Sequence, residues 1–206
     1  EQGQPQVLIP VSFIITSAFH FQEQVITFDT QHLERNENFN DRGQSVTQQC
    51  RSYTFTLPHN NTIQVSIIDT PGFGDTRGID QDQINIQHIT QYIHEHHIKL
   101  DAVCFLLKPN ESRLNILFRT CFMQLFSIIG EDVYEKLIFC FTNSRSTFYA
   151  PGNTGPLLRQ MLGTLEGKVK MEKKNTFCFD NEAFRYLVAR LNGVIFSDEE
   201  HEEYVN

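Results

Sequence analysis

At 206 residues the chain is long enough for one packed domain, and 40% hydrophobic residues is ordinary for a globular protein. A net charge of −8 and a pI of about 5.4 argue against a broad nucleic-acid-binding face, which needs clustered Lys and Arg. No apolar run approaches the roughly 18 residues of a membrane span, and five cysteines without a C-x-x-C pair read as reduced, buried thiols of a cytoplasmic protein.

The elements follow in chain order. Residues 9–15 and 24–28 read as two extended pieces. Residues 29–49 are rich in Asn, Gln and Asp and read as a mobile loop. Residues 53–57 alternate, a turn follows at Pro58-His59-Asn60-Asn61, and 62–69 form a second strand, together a hairpin. Its apolar end, Val65-Ser66-Ile67-Ile68, predicts burial. From Asp82 to His97, Ile84, Ile86, Ile89, Tyr92 and Ile93 recur at helical spacing. Short apolar runs at 102–107 and 137–141 predict buried strands, and 175–179 a last one. Helices are expected over 114–129, over 153–165 with Pro156 in its first turn, and over 182–191. Residues 198–206 read as an acidic tail. Buried strands alternating with amphipathic helices predict a single α/β domain, a mostly parallel sheet with helices on both faces in three layers.

Such a sheet binds ligands beyond the carboxyl ends of its strands. Four loops qualify: Asp69-Thr70-Pro71-Gly72, Lys108-Pro109-Asn110, Thr142-Asn143-Ser144-Arg145 and Asp180-Asn181-Glu182. The first carries most. A strand ending in an acid, then Thr-Pro-Gly, resembles the D-x-x-G element of P-loop GTPases.

The segment Gly43-Gln44-Ser45-Val46-Thr47-Gln48-Gln49-Cys50, then Ile68-Asp69-Thr70-Pro71-Gly72-Phe73-Gly74-Asp75-Thr76, resembles the immune-associated nucleotide-binding GTPases of the avirulence-induced-gene type. Septins are more distant relatives. Phe179-Asp180-Asn181 is similar to that family's guanine-stacking segment. The likeness runs from about residue 43 to 192. It implies a P-loop GTPase fold that binds GTP or GDP and, with Mg²⁺ in the intact protein, hydrolyses GTP. Thr47 would ligate Mg²⁺ and close over the γ-phosphate. Asp69 would hold Mg²⁺ through water. Thr70 would belong to the nucleotide-binding turn, and the Gly72 amide would bond the γ-phosphate. Thr47 and Gly72 would thus carry catalysis. Asn143 would meet the guanine edge and Asn181 would pack beside the base. Relatives of this type self-associate through the nucleotide face, which implies a homodimer.

Three departures bear on this expectation. The phosphate loop G-x-x-x-x-G-K-[ST] occurs nowhere in the chain. The expectation is therefore that the first strand, that loop and the first helix lie outside it. Thr142-Asn143-Ser144-Arg145 stands in place of [NT]-K-x-D, without the Asp that pairs with guanine. Phe73 stands where many GTPases orient water with Gln. The last two favour an alternative, a degenerate pseudo-GTPase acting as a protein-interaction module. A third reading, an α/β enzyme with Asp69 as general base, has no His, Ser or Cys near it in sequence.

Other residues read more plainly. His88, His94, Glu95, His96 and His97 could make a metal site but fit a solvated helix end better. Lys168, Lys170, Lys173 and Lys174 read as a solvated helix end too. Lys108 is a strand-end lysine or a nucleotide contact, and Arg145 a surface arginine or a cation partner for the base. Asp75 and Arg77 cap the following helix or belong to the switch. The sequons at Asn60 and Asn110 read as chance matches.

Overall fold

The computed structural model describes residues 5–16, 21–29, 36–39, 46–57, 60–72, 78–96, 98–110, 116–165 and 168–205. Expectations placed on Ser45, the turn at Pro58-His59, Phe73, Asp75, Arg77 and His97 lie outside these residues. The chain divides into two compact units. One gathers the described residues of Glu1–Arg42, Arg51–Asp69 and Asn181–Asn206; the other those of Gly43–Cys50 and Thr70–Asp180.

In the first unit β1 (Val11–Thr16) and β2 (Glu23–Phe28) pair antiparallel. β3 (Arg51–Leu57) and β4 (Asn60–Asp69) form the expected hairpin, with Arg51 opposite Asp69. The apolar end of β4 is less buried than expected: Ile67 is exposed, and Val65 and Ile68 are half-buried. A two-stranded hairpin has no further strands to shield it. Between the hairpin and the polar 29–49 segment, Tyr53 and Glu37 are both buried, and the Tyr53 hydroxyl donates to Glu37 Oε1 at 3.3 Å.

Helix α4 (Glu182–Leu191) buries Val188 and Ala189 with Ile26, flanked by Phe13, Ile15 and Phe28. Arg185 places its guanidinium 4.9 Å from the Phe13 ring and donates to the Ile14 carbonyl at 3.0 Å. The acidic end of the chain forms helix α5 (Asp198–Val205). Ser197 starts it with a capping box. Its Oγ accepts from the Glu200 amide at 3.2 Å, and Glu200 Oε2 accepts from the Ser197 amide at 2.8 Å. Acid side chains in a first turn also suit the positive end of the helix dipole. Tyr186 of α4 ties α5 down. It stacks on Tyr204 with ring centres 4.5 Å apart and hydrogen-bonds His201.

In the second unit β5 (Val103–Leu107), β6 (Leu137–Phe141) and β7 (Thr176–Cys178) make a parallel sheet in the order β5-β6-β7. Helices α1 (Ile79–Glu95), α2 (Ile116–Ile129) and α3 (Thr154–Gly163) accompany it. Register places Phe105, Leu107, Leu137, Phe139 and Phe141 on one face. That face packs with Phe122, Leu125 and Phe126 of α2, Leu158, Met161 and Leu162 of α3, and Ile89 of α1. Phe122, Phe139 and Phe141 have no exposed surface, and each would cost about 3–5 kcal/mol on truncation to Ala.

The α/β class and the parallel strands are as expected. Among the described residues the strands make three sheets, β1-β2, β3-β4 and the parallel β5-β6-β7. Among the described residues, the buried core packs on the Phe139 face of the parallel sheet. The face opposite Phe139 presents Cys104, Leu106 and Phe177 to solvent, with Ile138 and Cys140 half-buried. The lysines at 173–174 sit on a 3₁₀ turn that leads into β7, where Lys174 pairs with Glu172 at 3.1 Å.

Candidate nucleotide site

Of the six residues singled out, Asp69 and Asn181 belong to the first unit. Thr47, Thr70, Gly72 and Asn143 belong to the second. Asp69 is the last residue of β4 and is half-buried. Asn181 is exposed and caps the start of α4, its carbonyl accepting from the Arg185 amide at 2.9 Å. Thr47 is half-buried.

The turn Thr70-Pro71-Gly72 is anchored by a residue that sequence reading passed over. Pro71 is fully buried and Gly72 is exposed. The Gly72 carbonyl accepts from Asn85 Nδ2 at 3.0 Å, and Asn85 Oδ1 in turn accepts from Gln81 Nε2 at 2.9 Å. Asn85 is 2% exposed and Asp82, one turn earlier, has no exposed surface. Asp82, Asn85, Ile86 and Ile89 follow the i, i+3, i+4, i+7 pattern, so α1 turns a partly polar stripe inward. The signal was present: two polar residues in phase with Ile86 and Ile89. A search for apolar periodicity alone discards it, and predicted Ile84 instead, which is exposed.

The loops after β5, β6 and β7 are joined at the carboxyl end of the sheet. The Thr142 amide donates to the Leu107 carbonyl at 2.8 Å, and the Phe179 amide to the Phe141 carbonyl at 2.9 Å. Asn143 is exposed and left-handed, φ 55°, a conformation that asparagine tolerates better than most residues. Ser144 is fully buried, and its Oγ donates to the Phe179 carbonyl at 3.0 Å. Asp180 Oδ2 accepts from the Arg145 amide at 3.1 Å. Asn143 therefore projects from a loop clamped on both sides of it to the segment after β7.

Further along, Thr154 Oγ1, fully buried, donates to the Lys108 carbonyl at 2.7 Å. The Asn153 amide donates to Asn110 Oδ1 at 3.3 Å. Gly152 has φ 55°, and a Cβ there would stand 2.5 Å from Asn110 Oδ1, so the close approach of these two loops requires glycine.

The loop between β6 and α3 also displays two aromatics. Phe148 is 93% and Tyr149 57% exposed, and both are left-handed, φ 53° and 55°. Their backbone is held by the Phe148 amide to the Arg145 carbonyl and the Tyr149 amide to the Ser144 carbonyl, at 3.0 and 2.9 Å. Bulky side chains in this region cost free energy and persist where surrounding bonds over-determine them.

Among the described residues no group of three or more His, Cys, Asp or Glu is placed to hold a metal. His96 is engaged locally instead, its Nδ1 2.9 Å from the Tyr92 carbonyl and its ring stacked on Tyr92. The Thr47 hydroxyl and the Asp69 carboxylate are hard oxygen donors, the chemistry Mg²⁺ selects. No helix among the described residues is long and apolar enough to cross a membrane. No protein-family model matches the chain, and no curated protein is significantly similar to it.

Proposed function

We propose that this chain is the switch and base-recognition portion of a GTP-binding domain of a cytoplasmic GTPase-like protein. The single observation that carries the reading is the turn after β4. A hairpin strand ends in Asp69, Thr70-Pro71-Gly72 follows, and buried Asn85 fixes the Gly72 carbonyl. A glycine so held can offer a backbone amide at a defined position, as a γ-phosphate sensor must. In the intact protein Asp69 and Thr47 would hold Mg²⁺, which neutralises phosphate charge when bound. Gly72 and Thr70 would line the phosphate side, Asn143 the base edge and Asn181 the base face. Hydrolysis would proceed by positioning of water and charge neutralisation, with no covalent intermediate. The phosphate loop, which supplies most of the grip on a nucleotide, would come from outside these 206 residues. A homodimer through the nucleotide face fits the same reading. The test is equilibrium titration of the 206-residue chain with GTP and Mg²⁺. Binding weaker than micromolar is expected; micromolar or tighter affinity would overturn the division of labour.

A second reading, a pseudo-GTPase that binds a protein partner, is favoured by the loop after β6. Ser144 and Arg145 tie that loop to the segment after β7, and Phe148 and Tyr149 stand exposed beside it. Exposed, rigidly held aromatics are the side chains that anchor interfaces. Under this reading GTP affinity is absent from the intact protein as well.

A further inference from the structure

We infer that Asp180 is the carboxylate that selects the base, accepting from the two neighbouring N–H donors of guanine. This role rests on the GTP-binding reading above and names the group that discriminates among nucleotides there. The chain has Arg145 where [NT]-K-x-D places its Asp. A site that tells guanine from adenine therefore needs a carboxylate from elsewhere.

The chemistry of the bases sets the requirement. Guanine presents its N1–H and its N2 amino group side by side. One carboxylate accepts from both, because it has about four lone-pair sites and no proton to give. Adenine presents a bare nitrogen at N1, so a carboxylate repels it. The group must also stand at the carboxyl ends of the strands, where parallel sheets bind ligands.

The loops after β5, β6 and β7 supply one such acid. Among their described residues, 108–110, 142–153 and 179–180, it is Asp180. Its Oδ2 accepts from the Arg145 amide at 3.1 Å, so the carboxylate is fastened to the loop position that lacks its own acid. Ser144 closes the same contact, its amide and its Oγ both donating to the Phe179 carbonyl at 3.4 and 3.0 Å. Asp180 is half-buried, where a hydrogen bond competes less with water. Exposed Asn143 lies two residues before Arg145 on the clamped loop. Its amide can donate to guanine O6 or N7 while Asp180 accepts from N1 and N2. All of these residues belong to the second unit.

A carboxylate that only clamped the loop would need one acceptor oxygen, and asparagine supplies one equally well. Asp180→Asn therefore separates the two roles. It keeps an oxygen for the Arg145 amide and turns the other oxygen into an NH₂ donor. Xanthine carries an oxygen where guanine carries the N2 amino group, so the variant should match xanthine and mismatch guanine.

The experiment measures affinities of the intact protein, with Mg²⁺, for the triphosphates of guanosine, inosine and xanthosine. Inosine lacks the N2 amino group, and the unsubstituted protein is expected to bind it at least about tenfold more weakly than GTP. Asp180→Asn is expected to weaken GTP and to strengthen xanthosine triphosphate, each by at least about tenfold. Inosine triphosphate bound as tightly as GTP, unchanged affinities in Asp180→Asn, or loss of GTP without a gain for xanthosine triphosphate would each overturn the role of Asp180 and leave GTP binding standing. An unsubstituted protein that binds none of the three would overturn the GTP-binding reading and this role with it. The comparison of GTP with inosine triphosphate decides even where the variant fails to fold.

Discussion

Asn85 shows how one side chain decides the geometry of a turn. From the buried stripe of α1 its Nδ2 holds the Gly72 carbonyl, and its Oδ1 is held by half-buried Gln81. Asn85→Ala removes both bonds and should cost about 1–3 kcal/mol in urea unfolding. Gln81→Ala, removing one partner, should cost about 1 kcal/mol or less. Tyr53 gives a pH test. Burial, then the nearby Glu37 carboxylate, pushes its phenol above the ordinary value. The folded state therefore holds that proton more tightly than the unfolded chain does. The associated stability is complete below about pH 10 and is lost as pH climbs through the folded value. Tyr53→Phe should lower stability at neutral pH by about 1–3 kcal/mol and remove this alkaline component from a stability–pH profile. Phe148 tests strain. Phe148→Gly frees a left-handed backbone position and should raise stability by about 1 kcal/mol in thermal melts, unless lost burial offsets it; at 93% exposure there is little to lose.

At the level of elements, periodicity and turn chemistry carried most of the reading. β5 and β6, the β3–β4 hairpin, α3 and α4 lie where alternation, helical spacing and Gly or Pro punctuation placed them. The failures have physical causes. β4 is half-exposed because apolar content cannot tell a two-stranded ribbon from a central strand. Among the described residues the parallel sheet packs its core on one face, because a continuous apolar run says that neighbours are wanted without saying whether they are supplied. The acidic segment forms α5 because its charge lies in the first turn behind Ser197, where it supports a helix. Ser197→Ala should cost about 0.5–2 kcal/mol, read as earlier loss of α5 in hydrogen exchange.

For the whole molecule, the six candidate positions were singled out by motif residues beside predicted strands. Their anchors were not. The side chains of Asn85, Ser144 and Thr154 each donate to a carbonyl 13 to 46 residues away, and no local pattern encodes such partners. The division of Asp69 and Asn181 from Thr47, Gly72 and Asn143 between two compact units was equally invisible, since contiguity in sequence does not fix which core a strand end joins. On the proposed reading, a strand and phosphate loop absent from these 206 residues would join the elements that bear on the nucleotide. The measurement that tests this most directly is GTP affinity of the intact protein with Mg²⁺, compared with chelator and with Asp69→Ala. The account predicts that each change weakens binding at least about tenfold, some 1.4 kcal/mol. GTP binding that is absent, or indifferent to both Mg²⁺ and Asp69, would contradict it.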